Sequence, residues 1–421
     1  MASPTSGEGH GLASFVALDR ATFAQRHWGR EPLLTRAAER TPDHGLFGPA
    51  AVDELLARRA LRTPFLRMAR EGQTLDPSAF TLGGGVGATI GDQVSEDLVL
   101  RQFAQGATIV LQALHRTWPP VADAAHELAA DLGHPVQVNA YVTPPQNRGF
   151  DDHYDVHDVF VLQVSGEKHW QVRPPVLEAP LRDQPWTEHR DAVRRAAQAA
   201  PTIDAVLAPG DCLYLPRGWL HSATALGGTS IHLTMGVHVW TRRQLADDLL
   251  RAAGRVLDAD PGVRASLELG VDPLDPSVAR DTLPGIRAAV AAALESVSDE
   301  ELAAALARRV RAAQRAEPIG ALRQQAATGD PGTTWRPRRH LAPCWEPERA
   351  DGVSTLVTRV ARVDVPAGDR AAVDEVLSGA ADPALLDASV RRSLCLAGLL
   401  VPADAREPYP PTGSRQPDGP L

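Results

Sequence analysis

Residues 153–170 read HYDVHDVFVLQVSGEKHW, and this stretch decides the fold that the sequence predicts. Its apolar run at 159–162 is typical of a buried strand, the following Ser-Gly pair predicts a turn, and residues 168–172 predict a second strand. Side chains two positions apart on a strand share a face, so His153 and Asp155 aim an imidazole and a carboxylate at one place. The stretch therefore predicts β-structure that carries a polar site.

Lys168 is the only lysine in the chain, because every other member of the 43 Lys and Arg residues is an arginine. Lysine offers a compact ammonium on a slim stem, whereas arginine offers a broad planar fork. A narrow pocket that pairs one ammonium with one carboxylate would exclude that fork. The single lysine predicts such a pocket, and its survival by chance is the alternative.

A third candidate ligand, His221, ends the segment GDCLYLPRGWLH at residues 210–221. The segment predicts a turn, a short strand, a Pro/Gly turn and a histidine entering the next strand. Two histidines and one carboxylate form the facial triad of non-haem Fe(II) oxygenases, which leaves coordination positions open. An isolated H-x-D pair says little in a chain with 14 His, but its combination with Lys168 and His221 predicts an iron site.

Length and charge limit the class of protein. At 421 residues the chain is expected to form two or three domains, and 43% hydrophobic with 23% charged residues is typical of a folded globular protein. The net charge of -9 argues against a general nucleic-acid binder, which would normally be basic, and it suits a cationic substrate. No direct reading of nucleic acid is expected.

The cysteines and the apolar runs predict the compartment. Cys212, Cys344 and Cys395 are scattered and odd in number, so they predict neither a disulfide framework nor a zinc motif. The first residues show no signal-peptide pattern, and no apolar run approaches the roughly 18 residues of a membrane span. A cytoplasmic protein without membrane association is expected.

The first half of the chain changes from helical to strand periodicity. Residues 1–12 predict a flexible lead, and residues 15–130 are mostly helical in pattern. The glycine cluster at 83–87 lacks the context of a phosphate cradle and predicts a loop. Short β-rich segments between Pro/Gly turns at 136–240 predict a barrel or sandwich, interrupted by a polar helical insert at 177–200.

Alanine-rich amphipathic helices follow, with predicted spans at 242–256, 284–297 and 298–315. Their apolar faces need a partner surface, and a second copy of the chain is the simplest one, so a homodimer is expected. From Pro331 onward the pattern of two strands and two helices resembles a winged helix. Its 11 Arg against 12 Asp plus Glu favour protein docking or a structural role over DNA reading.

Three segments carry a resemblance to a known family: NAYVTPP at 139–145, the stretch at 153–170, and LYLPRGWLHSA at 213–223. Trp28, followed by Pro-Leu-Leu at 32–34, adds a similar entry segment. The chain resembles the JmjC-domain oxygenases of the ribosomal oxygenase type, within the cupin superfamily. The resemblance implies an α+β fold in which a double-stranded β-helix (jelly-roll) barrel carries flanking helices.

The resemblance also implies the layout of the whole chain. A JmjC/cupin oxygenase domain with N-terminal helices is expected at 1–240, and a helical dimerisation region at 241–330. A C-terminal winged-helix domain is expected at 331–408, and the Pro-rich residues 409–421 predict a disordered tail.

The implied catalytic residues are the three candidate ligands, so Fe(II) is expected on His153, Asp155 and His221, with O2 as a co-substrate. Their alternative roles are a core histidine and a turn acid. Many relatives carry a second acid after the H-x-D pair, where this chain has Val156 and His157. That departure leaves the substrate-side contacts open and does not touch the metal set.

A co-substrate pocket is implied beside the metal. Lys168 matches the lysine that pairs with the distal carboxylate of 2-oxoglutarate, while Asn139 and Tyr141 match positions that line the same pocket. From the residues alone, Asn139 could instead satisfy backbone groups and Tyr141 could be barrel packing. His232 and His238 alternate with apolar residues and are expected in the core or at the rim rather than as ligands.

Two further features border the predicted site. His157 shares the face of His153 on an unbroken strand and could border the substrate pocket. Arg148, Asp151 and Asp152 precede the metal motif in a loop that could cover the site. Its acids could meet a cationic side chain, and a solvated loop is the alternative.

The expected function is hydroxylation of a protein side chain by a 2-oxoglutarate-dependent dioxygenase. The resemblance implies an arginine or histidine of a ribosomal protein, or of another protein or peptide, as the substrate. The same chemistry on a small molecule or peptide in natural-product tailoring is one alternative. A metal-binding cupin without oxygenase activity is another, but such a site would have no need of the ammonium of Lys168.

Overall fold

The structure is a computed structural model that describes residues 11–40, 45–147 and 151–403. Arg148, the predicted tail at 409–421 and most of the predicted flexible lead lie outside the described residues. The chain divides into two compact units, Met1–Trp240 and Thr241–Leu421. The finer division of the second unit at residue 330 stays a prediction.

The first unit consists of short strands, two long strands and helices that precede or interrupt them. Its strands are β1 Leu33–Thr35, β2 Leu66–Arg70, β3 Gln73–Thr74, β4 Thr81–Leu82, β5 Gln93–Val94, β6 Thr108–Leu111, β7 Val136–Thr143, β8 Asp158–Arg173, β9 Ile203–Leu207, β10 Cys212–Leu215 and β11 Leu220–Val237. Its helices are α1 Arg20–Arg26, α2 Pro49–Arg58, α3 Glu96–Ala104, α4 Leu114–Thr117, α5 Pro119–Leu132 and α6 Arg190–Ala196, with 3-10 turns at Leu12–Ser14, Ala37–Glu39, Pro77–Ala79 and Trp186–His189.

The two long strands, β8 and β11, organise the sheet. Among the described residues the strand order is β1-β10-β8-β11-β7-β6-β2-β3, with β9 paired to β8 off this path. The first half of β8 lies between β10 and β11, and its second half lies between β9 and β11. One antiparallel pair therefore runs through the whole sheet, with β10 and β7 beside one half of it and β9 beside the other.

The predicted turn at the Ser-Gly pair is wrong, because β8 continues through it as one strand. Gly166 has a φ of +63°, and a Cβ there would lie 2.3 Å from the carbonyl oxygen of Thr229. The register with β11 shifts between Leu226 and Ile231, opposite this glycine. Glycine is thus needed at this position because it lets the strand bend against its partner rather than reverse.

The expectation of a mostly helical region before residue 130 is also wrong in part. Strands β2 and β6 join the main sheet through β7, although each has only four or five residues. Such segments are too short for strand periodicity to stand out. Leu12, placed in the predicted flexible lead, is buried, and its N–H donates to the Asp131 carboxylate at 2.8 Å. The predicted loop at 83–87 is confirmed.

The second unit contains the helices α7 Arg242–Ala259, α8 Pro261–Arg264, α9 Pro276–Ser296, α10 Asp299–Ala313, α11 Ala321–Gly329, α12 Arg370–Leu377 and α13 Ala388–Leu396. Its strands are β12 Trp335–Pro337, β13 Cys344–Trp345, β14 Val353–Val357, β15 Arg362–Pro366 and β16 Leu400–Pro402, with 3-10 turns at Ala367–Asp369 and Pro383–Leu385. β13, β14 and β15 form one sheet, and β12 pairs with β16.

Capping fixes where the helices of the second unit begin. Thr241 and Gln244 form a reciprocal capping box at the start of α7. Ser298 accepts a hydrogen bond from the Glu301 N–H at the start of α10. The predicted start of α9 at Pro284 is wrong, since the helix begins eight residues earlier, after its cap Asp275. None of the described helices is both long and apolar enough to cross a membrane.

A buried carboxylate, Asp158, ties three segments of the first unit together at the start of β8. The Tyr214 hydroxyl donates to it at 2.6 Å, and the Arg217 N–H donates at 3.1 Å. The hydroxyl of Tyr214 in turn accepts from the Gly29 N–H at 2.8 Å. Burial raises the pKa of Asp158, although both hydrogen bonds lower it. Hydrogen bonds to a buried acid of this kind are stronger than those between neutral groups.

We predict that Tyr214→Phe lowers the free energy of unfolding of the first unit by about 1.5–3 kcal/mol, because Asp158 loses one of its two donors while it stays buried. Urea titration followed by circular dichroism measures the change. The matched control is Tyr154→Phe, whose hydroxyl donates to the neutral carbonyl of Gln184 at 3.0 Å and should cost about 1 kcal/mol. Equal losses in both variants would contradict the role given to the buried acid.

Candidate active site

His153, Asp155 and His221 come together on the first unit. One ligand atom of each lies within 4.8 Å of the others, and this is the group of metal-ligand side chains found among the described residues. His221 Nε2 lies 3.8 Å from the Asp155 carboxylate, and the two imidazole centroids are 4.4 Å apart. The structure thus brings together the three residues that the sequence singled out.

Backbone hydrogen bonds hold the three residues in place. His153 and His221 form an isolated antiparallel bridge, in which each N–H donates to the other carbonyl, at 3.2 and 2.8 Å. The Gly218 N–H donates to the Asp155 carbonyl at 3.0 Å. A φ of +90° at Gly218 explains why the Pro-Arg-Gly-Trp turn before His221 uses glycine there. The spacing of the site therefore depends on main-chain geometry.

Both imidazoles are oriented by carbonyl oxygens. Nδ1 of His153 donates to the Asp151 carbonyl at 2.7 Å, and Nδ1 of His221 donates to the Trp219 carbonyl at 3.1 Å. Because a carbonyl only accepts, Nδ1 of each ring is the donor, which leaves Nε2 as the metal-binding nitrogen of a neutral ring. Metal-binding histidines usually donate their other ring N–H to an oxygen acceptor in this way, which fixes the orientation of the ring.

The charges of the group suit a divalent cation. Burial, and next the neighbouring His153, lower the pKa of His221 to about 4, so this ring is neutral at neutral pH. Burial raises the pKa of Asp155, but the neighbouring histidines, His157 first, outweigh it and the pKa lies below its usual value. Neutral imidazoles and an ionised carboxylate are the protonation states that bind metals.

A cavity that opens to solvent is lined by the three residues and Lys168. Lys168 is only 3% exposed, and its ammonium donates to the Thr143 hydroxyl at 3.1 Å. Burial lowers the pKa of Lys168 to about 7. The cavity is lined by Tyr141, His153, Asp155, Val159, Val161, Lys168, Trp170, His221, Ser222, Ala223, His232 and Thr234.

The two residues expected beside Lys168 have different surroundings. Tyr141 lines the cavity, whereas Asn139 is not among its lining residues. The Asn139 side-chain oxygen accepts from the Ala113 N–H at 3.0 Å, just before α4. Asn139 therefore has the backbone-satisfying contact that was its alternative role, and its place in a co-substrate pocket stays a prediction.

The residues predicted to border the site contact other groups of the protein. His157 stacks on His238 with ring centroids 5.3 Å apart, and neither lines the cavity. The Asp152 carboxylate lies 3.4 Å from the Arg173 guanidinium, while the backbone of Asp151 holds His153. Contact of these acids with a cationic substrate stays a prediction.

Sequence reasoning missed Trp170 and His232 as cavity residues. Trp170 stands two positions after Lys168 on β8 and so shares its face, a signal that was present in the sequence. His232 was expected in the core or at the rim, and it is buried but lines the cavity. It lies opposite Tyr141 across β7 and β11, a register that the sequence does not show.

The region that contains this site matches a known family. Residues 120–245 match the JmjC domain. Ribosomal oxygenase 1 of Homo sapiens is 31% identical over 238 residues, 55% of this chain and 34% of that protein. The bifunctional lysine-specific demethylase and histidyl-hydroxylase NO66 of Drosophila persimilis is 28% identical over 236 residues, 54% of this chain and 31% of that protein. The chain thus spans about a third of the length of the curated relatives it matches.

Solved structures extend the likeness to most of the chain. The crystal structure of Escherichia coli ribosomal oxygenase YcfD has a TM-score of 0.55 at 17% identity, covering 91% of this chain and 98% of that one. YcfD in complex with cobalt and 2-oxoglutarate has a TM-score of 0.53 at 16% identity, covering 92% and 99%. At such identity the likeness shows the fold, and it confirms a cupin-type fold of helices and sheets.

Residues 120–245 are similar to the JmjC domain, and the predicted resemblance of the chain to the JmjC-domain ribosomal oxygenases is confirmed. The helical dimerisation region and the winged-helix domain stay predictions.

We predict that His221→Ala lowers the affinity of the chain for Mn(II) or Fe(II) by at least about 10–100-fold, because one of three converging donors is lost. Calorimetric titration of metal into the metal-free protein under argon measures the change. His169→Ala is the matched control, because this histidine lies on β8 with its ring against Asp204 and away from the cavity. Undiminished metal binding by the His221 variant would contradict the assignment.

Proposed function

We propose that this JmjC-domain chain is an Fe(II)- and 2-oxoglutarate-dependent oxygenase that hydroxylates a protein side chain. The observation that carries the proposal is the presence of His153, Asp155 and His221 in one cavity with the buried ammonium of Lys168. Three donors suit a facial metal site with open positions, and a buried cation suits an acidic co-substrate. Cobalt and 2-oxoglutarate in the complex of YcfD support the same pair of ligands.

The residues present fit iron with this co-substrate. Bound iron would supply oxygen activation, in which one atom of O2 enters the substrate C–H bond and the other enters succinate as 2-oxoglutarate loses CO2. His153 and His221, whose rings are oriented by backbone carbonyls, would hold the metal together with Asp155. Val159 and Val161 supply apolar wall and limit water in the cavity.

Lys168 would bind the carboxylate of 2-oxoglutarate that lies away from the metal. Its ammonium is almost fully buried, and its only hydrogen bond among the described residues is to Thr143. A charge buried in this way is costly until an opposite charge joins it. A carboxylate would therefore bind and would raise the pKa of Lys168 from about 7.

We predict that the affinity for 2-oxoglutarate falls as the pH rises above about 7, by up to about tenfold per pH unit. Above this pH the ligand-free lysine is neutral, so binding must take up a proton. Below it the lysine is already charged, and the affinity should level off. Calorimetry of the Mn(II)-loaded protein under argon, between about pH 6 and pH 9, measures the dependence.

Lys168→Arg is the matched variant. It should bind 2-oxoglutarate more weakly because the broad guanidinium does not fit the place of the ammonium, and it should lose the pH dependence because arginine stays charged. A pH dependence that survives in this variant would mean that another group takes up the proton.

The substrate is proposed to be an arginine or histidine side chain of a ribosomal protein. The names of the curated relatives, ribosomal oxygenase and histidyl-hydroxylase, support a protein substrate. The net charge of -9 suits the basic surfaces of ribosomal proteins. The second unit also favours a macromolecular substrate, since a small molecule would need only the first unit.

We predict that ribosomal proteins from cells lacking the gene are lighter by one oxygen atom at one site than those from parent cells. Intact-mass spectrometry and fragmentation would locate the site. Complementation with the wild-type gene should restore the mass, and complementation with Asp155→Ala should not, because the metal site loses its carboxylate. Identical masses in every strain would turn attention to a small-molecule or peptide substrate.

The protein is proposed to act in the cytoplasm as a homodimer. Cys212, Cys344 and Cys395 are all free thiols, which suits a reducing compartment. α7 of the second unit exposes Leu245, which is 39% exposed, and more of Leu250 and Val256. Several exposed large apolar side chains on one helical region are typical of a surface that binds another protein.

We predict a dimer mass in light scattering of the full chain. Leu250→Glu on α7 should shift the mass toward the monomer, because a charge in an apolar contact opposes association. Leu100→Glu is the matched control, since this leucine is also exposed but lies on α3 of the first unit. A monomer mass for the wild-type chain would contradict the dimer.

A further inference from the structure

Two buried ring nitrogens in the cavity lack a hydrogen-bond partner. They are Nε1 of Trp170 and Nδ1 of His232, and within the described residues no protein atom accepts from or donates to either. Other buried unpaired atoms occur in the described chain, but these two are the ones on residues that line the cavity. Buried polar groups are normally paired, so two unpaired nitrogens on side chains that line a cavity are candidates for contact with a ligand.

The two rings are fixed beside the ammonium. The Lys168 ammonium lies 5.9 Å from the centroid of the Trp170 ring. His232 meets Trp170 edge to face at 5.4 Å and 85°, and it stacks flat on Tyr141 at 5.0 Å and 3°. These two contacts hold the plane of the imidazole.

The side chains of Lys168, Trp170 and His232 together offer more hydrogen-bond donors than acceptors. The indole of Trp170 only donates, and the ammonium of Lys168 has three N–H groups, of which Thr143 accepts one. Burial, and next the charge of Lys168, hold the pKa of His232 well below its usual range, so the ring is neutral and presents one N–H. An acceptor with several lone pairs and a negative charge would satisfy all three side chains.

We propose that Trp170 and His232, together with Lys168, form a three-donor cradle for the carboxylate of 2-oxoglutarate that lies away from the metal. The inference rests on the proposed function and assigns two further binding residues to it. A carboxylate offers about four acceptor sites, enough for an ammonium, an indole N–H and an imidazole Nδ1–H. With the anion in place, His232 donates from Nδ1, and the anion separates its N–H from the ammonium.

Phenylalanine variants test the donors while keeping the rings. Trp170→Phe and His232→Phe each remove one N–H and retain an aromatic side chain against the same neighbours. Each should weaken the binding of 2-oxoglutarate to the Mn(II)-loaded full chain by about tenfold or more, because a hydrogen bond to a charged group is lost. Their affinity for Mn(II) itself should stay unchanged. Calorimetry under argon measures both quantities.

Two control variants match the substitutions outside the cavity. Trp345→Phe removes an indole N–H that donates to Asp374 at 2.7 Å in the second unit. His169→Phe removes a β8 imidazole whose ring contacts Asp204. Both should bind 2-oxoglutarate as the wild type does.

The indole N–H can also be observed directly in the wild-type chain. The sequence has eight Trp, and the signal that disappears in Trp170→Phe identifies this residue in spectra of [15N]tryptophan-labelled protein. Adding 2-oxoglutarate to the Zn(II)-loaded protein should move that indole proton downfield as it acquires an acceptor, and should leave the Trp345 signal in place.

The outcomes separate the cradle from the proposed function. If the wild type binds 2-oxoglutarate while both phenylalanine variants bind it equally well and the Trp170 signal does not move, the cradle is overturned and the oxygenase remains. If the metal-loaded wild type binds no 2-oxoglutarate, the proposed function is overturned and the cradle with it.

Discussion

The antiparallel pairing of β8 with β11 is the constraint on which the rest of the site depends. β8 carries Lys168 and Trp170, β11 carries His221 and His232, and the backbone of His221 in turn holds that of His153. A slip of one residue would turn every side chain of a strand to the opposite face. The metal ligands and the buried cation therefore depend on the same register, and their relative positions are set by main-chain hydrogen bonds.

Burial then sets the protonation of each group. It keeps His221 neutral with a pKa of about 4, whereas Asp155 stays ionised because the histidines around it outweigh the effect of burial. The same burial brings Lys168 to a pKa of about 7, with a hydroxyl and an aromatic ring as its described neighbours. The protonation states that suit the ligands are therefore set by the protein itself. The metal site offers lone pairs, and the region around Lys168 offers N–H donors.

How far the sequence predicted the structure depends on how local each signal was. His153 and Asp155 stand two residues apart, and Lys168 is conspicuous in the composition, so these residues could be recognised without any knowledge of pairing. The bend at Gly166 was mistaken for a turn because only the partner strand shows that β8 continues. Trp170 and His232 were not predicted as cavity residues, because their roles depend on which strands lie side by side. The short strands β2 and β6 were not predicted, because segments of four or five residues are too short to show strand periodicity.

The single lysine determines how the side chains of this protein react with reagents that modify amines. With one lysine side chain in 421 residues, acylating or reductively alkylating reagents meet one side-chain amine, and it lies inside the cavity. A pKa of about 7 leaves about half of that amine unprotonated and nucleophilic at neutral pH, unlike an ordinary surface lysine. The rate at which this one nitrogen is modified would thus report whether the cavity is occupied, because any molecule that shields the amine slows the modification of Lys168.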